Sequence, residues 1–186
     1  NVSIENAHRN DTGAYAQIEA AAGRHVRLSG GARGDYVTTE NTGGYFGDRS
    51  TSNGAFSGFG AVTFGPFDGF SVTTQVARGF RDPSLSDRFY RGPVGRGFIE
   101  GNPELRPETS RQIDVTARYV AGPMRLVAAA YHYRITDLIE RYAAQPTLFL
   151  YRNRGAADLR GVEVEVQTAL AHGHDARRPV RHPARD

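Results

Sequence analysis

The sequence predicts an all-β protein: an antiparallel transmembrane β-barrel, present in part as about seven strands, followed by a disordered C-terminal tail. Three observations carry that prediction. Polar and apolar side chains alternate over runs longer than nine residues, enough to cross a bilayer at a tilt, whereas strands of globular proteins average five to six. Glycine (22), phenylalanine (10) and tyrosine (9) are abundant in the 186 residues, and helix formers do not cluster. The connections between the runs alternate between short and long, the asymmetry of periplasmic turns and extracellular loops in outer-membrane barrels. No run of 18 apolar residues predicts a membrane helix. Barrel strands hide their apolar face in the alternation, so the membrane is not excluded.

Each element follows in order. Asn1–Thr12 is polar and is expected to be loop. Ala14–Ala22 sets Ala16, Ile18 and Ala20 against Tyr15, Gln17 and Glu19, a strand with a helical alternative in its alanines. After the short connection Gly23–Arg24, His25–Val37 resumes with Val26 and Leu28 opposite Arg27 and Ser29. Residues 38–54 form a polar loop around Tyr45 and Phe46. Ala55–Phe64 is a glycine-punctuated strand of unfixed register, because Phe56 and Phe59 fall on opposite faces. GPFDG at 65–69 is a turn by composition, and Ser71–Phe80 is the next strand.

From Phe80 to Ser110 the alternation stops, and no periodicity predicts a helix or strand. A loop of this length is usually functional or disordered. Leu85, Phe89, Tyr90, Phe98, Ile99 and Leu105 run through it, which predicts a structured loop at one rim of the barrel. Glycines 95, 97 and 101 do not make a dinucleotide fingerprint, since the spacing is wrong and no strand feeds them into a helix.

Alternation returns in Arg111–Val120, where Ile113, Val115, Ala117 and Tyr119 oppose Gln112, Asp114, Thr116 and Arg118. Gly122–Pro123 turns the chain into Met124–Arg141, with Val127, Ala129, Tyr131, Tyr133 and Ile135 on one side. Residues 142–148 are expected to be a hairpin tip of intermediate length around Pro146. The last strand starts at Leu148–Asn153 and continues as Arg160–Leu170, with Val162, Val164 and Val166 against Glu163, Glu165 and Gln167. The face with Asp114, Arg118, Glu163 and Glu165 is expected to line an aqueous interior, and the valine, isoleucine and tyrosine face to meet lipid.

Composition narrows the function. There is no cysteine, hence no disulfide framework and no thiolate metal site. All 23 basic residues are arginine, spread along the chain rather than clustered, so no nucleic-acid partner is expected. No serine sits in a nucleophile elbow with a histidine placed beside it, and Glu163 with Glu165 reads as polar barrel wall rather than an acid–base pair. An enzyme is therefore not expected, nor a cofactor. The chemistry lies in the loop. Arg78, Arg81, Arg88, Arg91, Arg96 and Arg106 offer planar fork donors for carboxylate, phosphate or catecholate oxygens, and Phe89, Tyr90 and Phe98 offer aromatic faces. Of these, Arg81, Arg88, Tyr90, Arg91 and Arg96 are the candidate ligand-binding residues. Pairing with Asp82, Asp87, Glu100, Glu104 or Glu108 is the competing structural role for the arginines.

The words FRDP at Phe80–Pro83, GNPELRPETS at Gly101–Ser110, YRNRG at Tyr151–Gly155 and LRGVEVEVQ at Leu159–Gln167 resemble TonB-dependent outer-membrane receptors, over roughly Ala14–Leu170. The resemblance implies a plugged barrel of roughly 22 strands in the bacterial outer membrane. It also implies active import of a scarce nutrient with energy from a TonB complex, engaged through an N-terminal part outside this sequence. In the family's haem receptors a histidine lies between the first two words. Here none does, which makes a ferric siderophore the expected ligand and cobalamin the alternative. An outer-membrane enzyme or a structural barrel is the reading from another class. The opening NVSIENAHRN has neither an initiating Met nor an apolar leader, as expected of a fragment.

The domain expectation is thus partial barrel over residues 1–170 and tail over 171–186. The tail carries four arginines, three histidines and two prolines without alternation. It is expected to be disordered, or to be read out of frame from about residue 171. His172 and His174 lack a third placed ligand, so no metal site is expected.

Overall fold

The computed structural model describes residues 4–169. The tail expectations and His172 and His174 lie outside the described residues. Seven long strands build one sheet: β1 (Ala7–Ala21), β2 (Val26–Asn41), β3 (Arg49–Phe67), β4 (Phe70–Arg81), β7 (Glu108–Ala121), β8 (Met124–Gln145) and β9 (Leu148–Thr168). Between β4 and β7 stand a short helix α1 (Leu85–Phe89) and two short strands, β5 (Arg91–Val94) and β6 (Gly97–Glu100). The sheet order is β1-β2-β3-β4-β7-β8-β9-β6-β5. The long strands are antiparallel hairpin neighbours, and β6 joins β9 in parallel. The sheet is not closed: β1 and β9 do not pair. No helix among the described residues is long and apolar enough to cross a membrane.

At 12 to 22 residues and about 3.3 Å per residue, the strands outrun the 9–11 residues that a bilayer crossing requires. At one end they are joined by tight connections. The one between β3 and β4 is Asp68–Gly69, both at positive φ (49° and 85°), the backbone that a two-residue hairpin favours and that Asp-Gly supplies. β3 therefore runs on to Phe67, with its register shifting between Phe64 and Phe67, so the turn is narrower than residues 65–69 predict. At the other end lie the longer connections, 42–48 and 82–107. The expected tip at 142–148 is instead a two-residue turn between long strands, because pairing extends to Gln145↔Leu148. β1 begins at Ala7 inside the segment expected to be loop, since Ala7–Thr12 pairs with Tyr36–Asn41.

Register fixes the two faces. Asp114 stands beside Gln75 and Tyr131, and Glu163 and Glu165 beside Ala129 and Val127. Gln17, Arg33 and Arg118 share that polar face. The opposite face carries Ile18, Leu28, Phe64, Val76, Ile113, Val115 and Val164, all well exposed. A continuous exposed apolar face of this size marks an interaction surface, here the lipid side of a barrel wall.

β8 departs from expectation. Its Val127, Ala129, Tyr131, Tyr133 and Ile135 lie on the polar face, and Leu126, Ala128, Ala130 and His132 point outward. Tyr133 accepts a bond from Gln112 Nε2 at 3.0 Å, and Tyr131 packs 5.1 Å from it, ring centre to ring centre. A phenol has a polar tip that suits a wet interior as well as lipid, so tyrosine does not report the side. Phe59 also lies on the polar face, without a polar tip, by packing on a glycine. Its ring lies across Gly31, where a Cβ would come within 2.8 Å of it.

The buried core sits at the loop end. Val37, Pro83, Phe89, Ile99 and Leu105 are buried apolar side chains among the described residues, where the segment after β4 folds over the polar face of β2.

Candidate functional site: the loop platform

The segment between β4 and β7 carries more regular structure than its sequence predicts. Ser84 caps α1 by accepting from Asp87 N at 3.1 Å, and Asp87 Oδ2 accepts from Ser84 N at 2.9 Å. This reciprocal box satisfies the first free N–H groups of a helix of only five residues. Arg91–Val94 and Gly97–Glu100 then form a hairpin, whose second strand adds to β9 over Leu148–Leu150.

The root of the loop is a polar lock. Arg81 and Glu108 face each other across the last rung of β4 and β7. The guanidinium grips the carboxylate at two points, 2.8 and 3.0 Å, and reaches Asp87 at 3.0 Å. Next to it, buried Asp82 accepts from Asn53 Nδ2 at 2.7 Å and from Arg9 Nη1 at 3.4 Å, with Arg88 Nη2 at 4.0 Å. Arg88 is 1% exposed, donates to the Pro103 carbonyl at 2.6 Å, and leaves its Nε without a partner among the described residues. Burial raises the Asp82 carboxyl from its ordinary value while Arg88, Asn53 and Arg9 pull it back. Burial lowers the Arg88 guanidinium, opposed chiefly by Asp82.

Two asparagines tie the lock to β9. Asn102 Nδ2 donates to the Tyr151 carbonyl at 3.1 Å. Asn153 exchanges two bonds with the Arg106 backbone, accepting at 2.8 Å and donating at 2.9 Å. Three of the words singled out in the sequence, FRDP, GNPELRPETS and YRNRG, thus meet in space, and they hold one another.

The tip is built differently. Arg91 lies 3.9 Å over the Tyr45 ring and 5.0 Å from that of Phe98. Glu100 receives Arg91 Nε at 3.4 Å and the Tyr45 hydroxyl at 3.1 Å. Tyr90 donates to the Pro93 carbonyl at 3.2 Å. Arg96, at the hairpin turn, is exposed and makes no ion pair among the described residues. Beside Arg91 a small hollow of about 90 Å³ opens among Tyr45, Phe46, Phe89 and Asn41.

Of the five predicted site residues, the structure brings Tyr90, Arg91 and Arg96 to the outer part of the loop. Arg88 is a correction: buried and committed to Asp82 and Pro103, it has no surface to offer a ligand. Arg81 remains half-exposed, but its fork is occupied by two carboxylates. Sequence reasoning missed Tyr45 as a member of the site, because it comes from a different loop. Among the described residues no group of three His, Asp or Glu could hold a metal ion. The arrangement offers guanidinium groups and ring faces that can bind and orient an anionic or flat ligand.

Comparison with known proteins follows this geometry. The family model "TonB dependent receptor-like, beta-barrel" matches residues 1–175. No curated protein matches the chain by sequence. Among solved structures, the copper transporter OprC superposes with a TM-score of 0.73 at 19% identity, covering 90% of this chain and 28% of its own. The Serratia marcescens hemophore receptor HasR, solved with its hemophore and haem, gives 0.73 at 18%, covering 85% and 31%. The siderophore receptor PirA of Pseudomonas aeruginosa gives 0.61 at 13%, covering 89% and 40%. The chain thus spans between a quarter and two fifths of the length of these structures, which share its fold. The interlocked words at the loop root, the polar and apolar faces of the open sheet and the family match lead to one assignment: this chain belongs to the TonB-dependent receptor family and forms part of its β-barrel.

Proposed function

We propose that the chain is part of the wall of an outer-membrane active transporter for a scarce nutrient, with the loop platform contributing to ligand capture on the extracellular side. The ligand this reading favours is a ferric siderophore, and the energy comes from a TonB complex engaged elsewhere in the intact receptor. The observation that carries the reading is the contrast along the loop: a root locked by buried polar groups, and a tip where Arg91 and Arg96 stand exposed, with Tyr45 of the 42–48 connection and half-buried Phe98 beside Arg91. Guanidinium forks match the oxygen donors of an anionic chelate, and ring faces suit its flat groups. The absence of histidine from Pro83 to Asn102 favours such a chelate over haem.

The test is uptake and binding of ferric siderophores by the intact receptor carrying Arg91→Gln, Arg96→Gln and Tyr45→Ala together. Binding falls at least tenfold while surface expression stays normal. Unchanged binding would return the tip to a purely structural role. Membrane placement has its own test. The open sheet has two unpaired edges and an apolar face, so the isolated chain requires detergent; a monodisperse, cooperatively folding chain in plain buffer would overturn it.

A further inference from the structure

One row on the outer, apolar face breaks its character. Arg78 of β4 lies directly opposite Arg111 of β7, and Arg111 lies directly opposite Arg134 of β8. Three exposed guanidinium groups therefore stand side by side on adjacent strands. Directly opposed side chains have Cβ atoms about 5 Å apart, and like charges there destabilise each other. Arg134 is balanced by Asp158 at 3.5 Å, an acid that also holds His132 at 3.0 Å, with Arg160 nearby on β9. Arg78 and Arg111 make no ion pair among the described residues, and the next partner along the row is Gly58.

Position adds to the anomaly. One rung toward the short turns, Val76 and Ile113 are more than half exposed. One rung toward the loops, the Thr109 and Thr136 hydroxyls bond at 2.6 Å. From Arg111 to Tyr119 is eight residues along β7, about 26 Å of strand and about 20 Å of height at the usual tilt. That approaches the ~25 Å apolar band of an outer-membrane barrel, so the row marks its upper boundary. Two hollows meet there. One of about 170 Å³ is walled by the three arginines with Thr109 and Thr136. The other, of about 480 Å³, descends from Arg78 and Arg111 over Gly58 and Gly60, between Phe56, Val76 and Ile113.

We infer that this is a binding site for a phosphorylated lipid of the outer leaflet. Its phosphate oxygens take the fork donors of Arg78, Arg111 and Arg134, and an acyl chain lies in the trough over Gly58 and Gly60. The anion relieves the repulsion within the row, and the arginine stems lie along apolar surface with their heads at the boundary. The trough commits the site to a lipid rather than to free phosphate. The inference rests on the membrane placement proposed above.

The test uses the intact receptor, delipidated and then exposed to vesicles of phosphatidylcholine doped with a bis-phosphorylated glycolipid or its dephosphorylated form, with retained lipid measured by mass spectrometry. The wild type retains the phosphorylated form at least tenfold over the other. Arg78→Gln/Arg111→Gln/Arg134→Gln abolishes that preference, whereas Arg118→Gln, on the polar face, leaves it intact. Gly60→Leu, at a position with open space for a Cβ, fills the trough and lowers retention severalfold. Equal retention by wild type and triple variant overturns the inference, as does displacement of the lipid by inorganic phosphate at the concentration of the headgroup. Outer-membrane fractionation separates the two failures. A receptor absent from that fraction sinks the membrane placement, and a folded receptor present there with no lipid preference sinks this inference alone.

Discussion

The root and the tip of the loop use the same residue types to opposite ends. At the root, half-exposed Arg81 is committed to Glu108 and Asp87, and Arg88 is buried beside Asp82. At the tip, Arg91 rests on two aromatic faces and Arg96 has no acidic partner among the described residues. Within sixteen residues, arginine changes from mortar to surface. What decides is the geometry of the acids: Asp82 and Glu108 sit where strands end and can be buried, whereas Glu100 sits on a four-residue strand at the rim. Holding the loop's shape and presenting side chains to solvent are thus separated along its length.

The largest effect should come from the root. Asp82→Ala strands Arg88 as an uncompensated buried charge, a loss of about 3–5 kcal/mol. Limited proteolysis of the folded receptor should show new cleavage between Phe80 and Ser110, and an uncut loop would break the contrast. Next is the wall on which both regions stand. Val115→Arg near the bilayer midplane should cost about 2–4 kcal/mol by unfolding titration in lipid. Thr116→Arg, one residue on and facing the interior, should be tolerated, since side chains alternate. Equal penalties would mean that the faces are misassigned. Arg81→Gln should cost about 1 kcal/mol, less than a fully buried pair because its guanidinium is half-exposed and screened. Smallest for stability is the tip, where Arg96→Gln should stay within about 0.5 kcal/mol, its effect appearing in ligand binding. A larger loss would make Arg96 part of the lock.

Much of the wall was legible in the sequence because a period of two is a local signal. Ile113–Tyr119 and Val162–Val166 display it without interruption. The GPFDG composition at 65–69 likewise places a turn, though strand pairing narrows it to 68–69. α1 left no periodicity, being five residues long, although Ser84 followed by Asp87 is the spacing of a capping box. The β5–β6 hairpin depends on pairing with Leu148–Leu150, some fifty residues on, and no local pattern encodes such a contact. β8 was turned the wrong way because tyrosine is at home on either side of a barrel. Composition counts Arg88 among the ligand donors because it is blind to burial. No local pattern places Tyr45 beside Arg91, because the two come from loops far apart in sequence.

The parallel pairing of β6 with β9 has a consequence for assembly. The edge of β9 that faces away from β8 is already taken at Leu148–Leu150. Any strand that continues the wall past β9 can zip only from Tyr151 downward, toward the short turns. The loop hairpin therefore acts as a doorstop on that seam, setting how high the next stave may rise. The seam's upper lip thus includes chain laid down before β7, so the rim is woven rather than stacked, and a cut at Gly95–Arg96 would loosen the joint between two staves as well as open a loop.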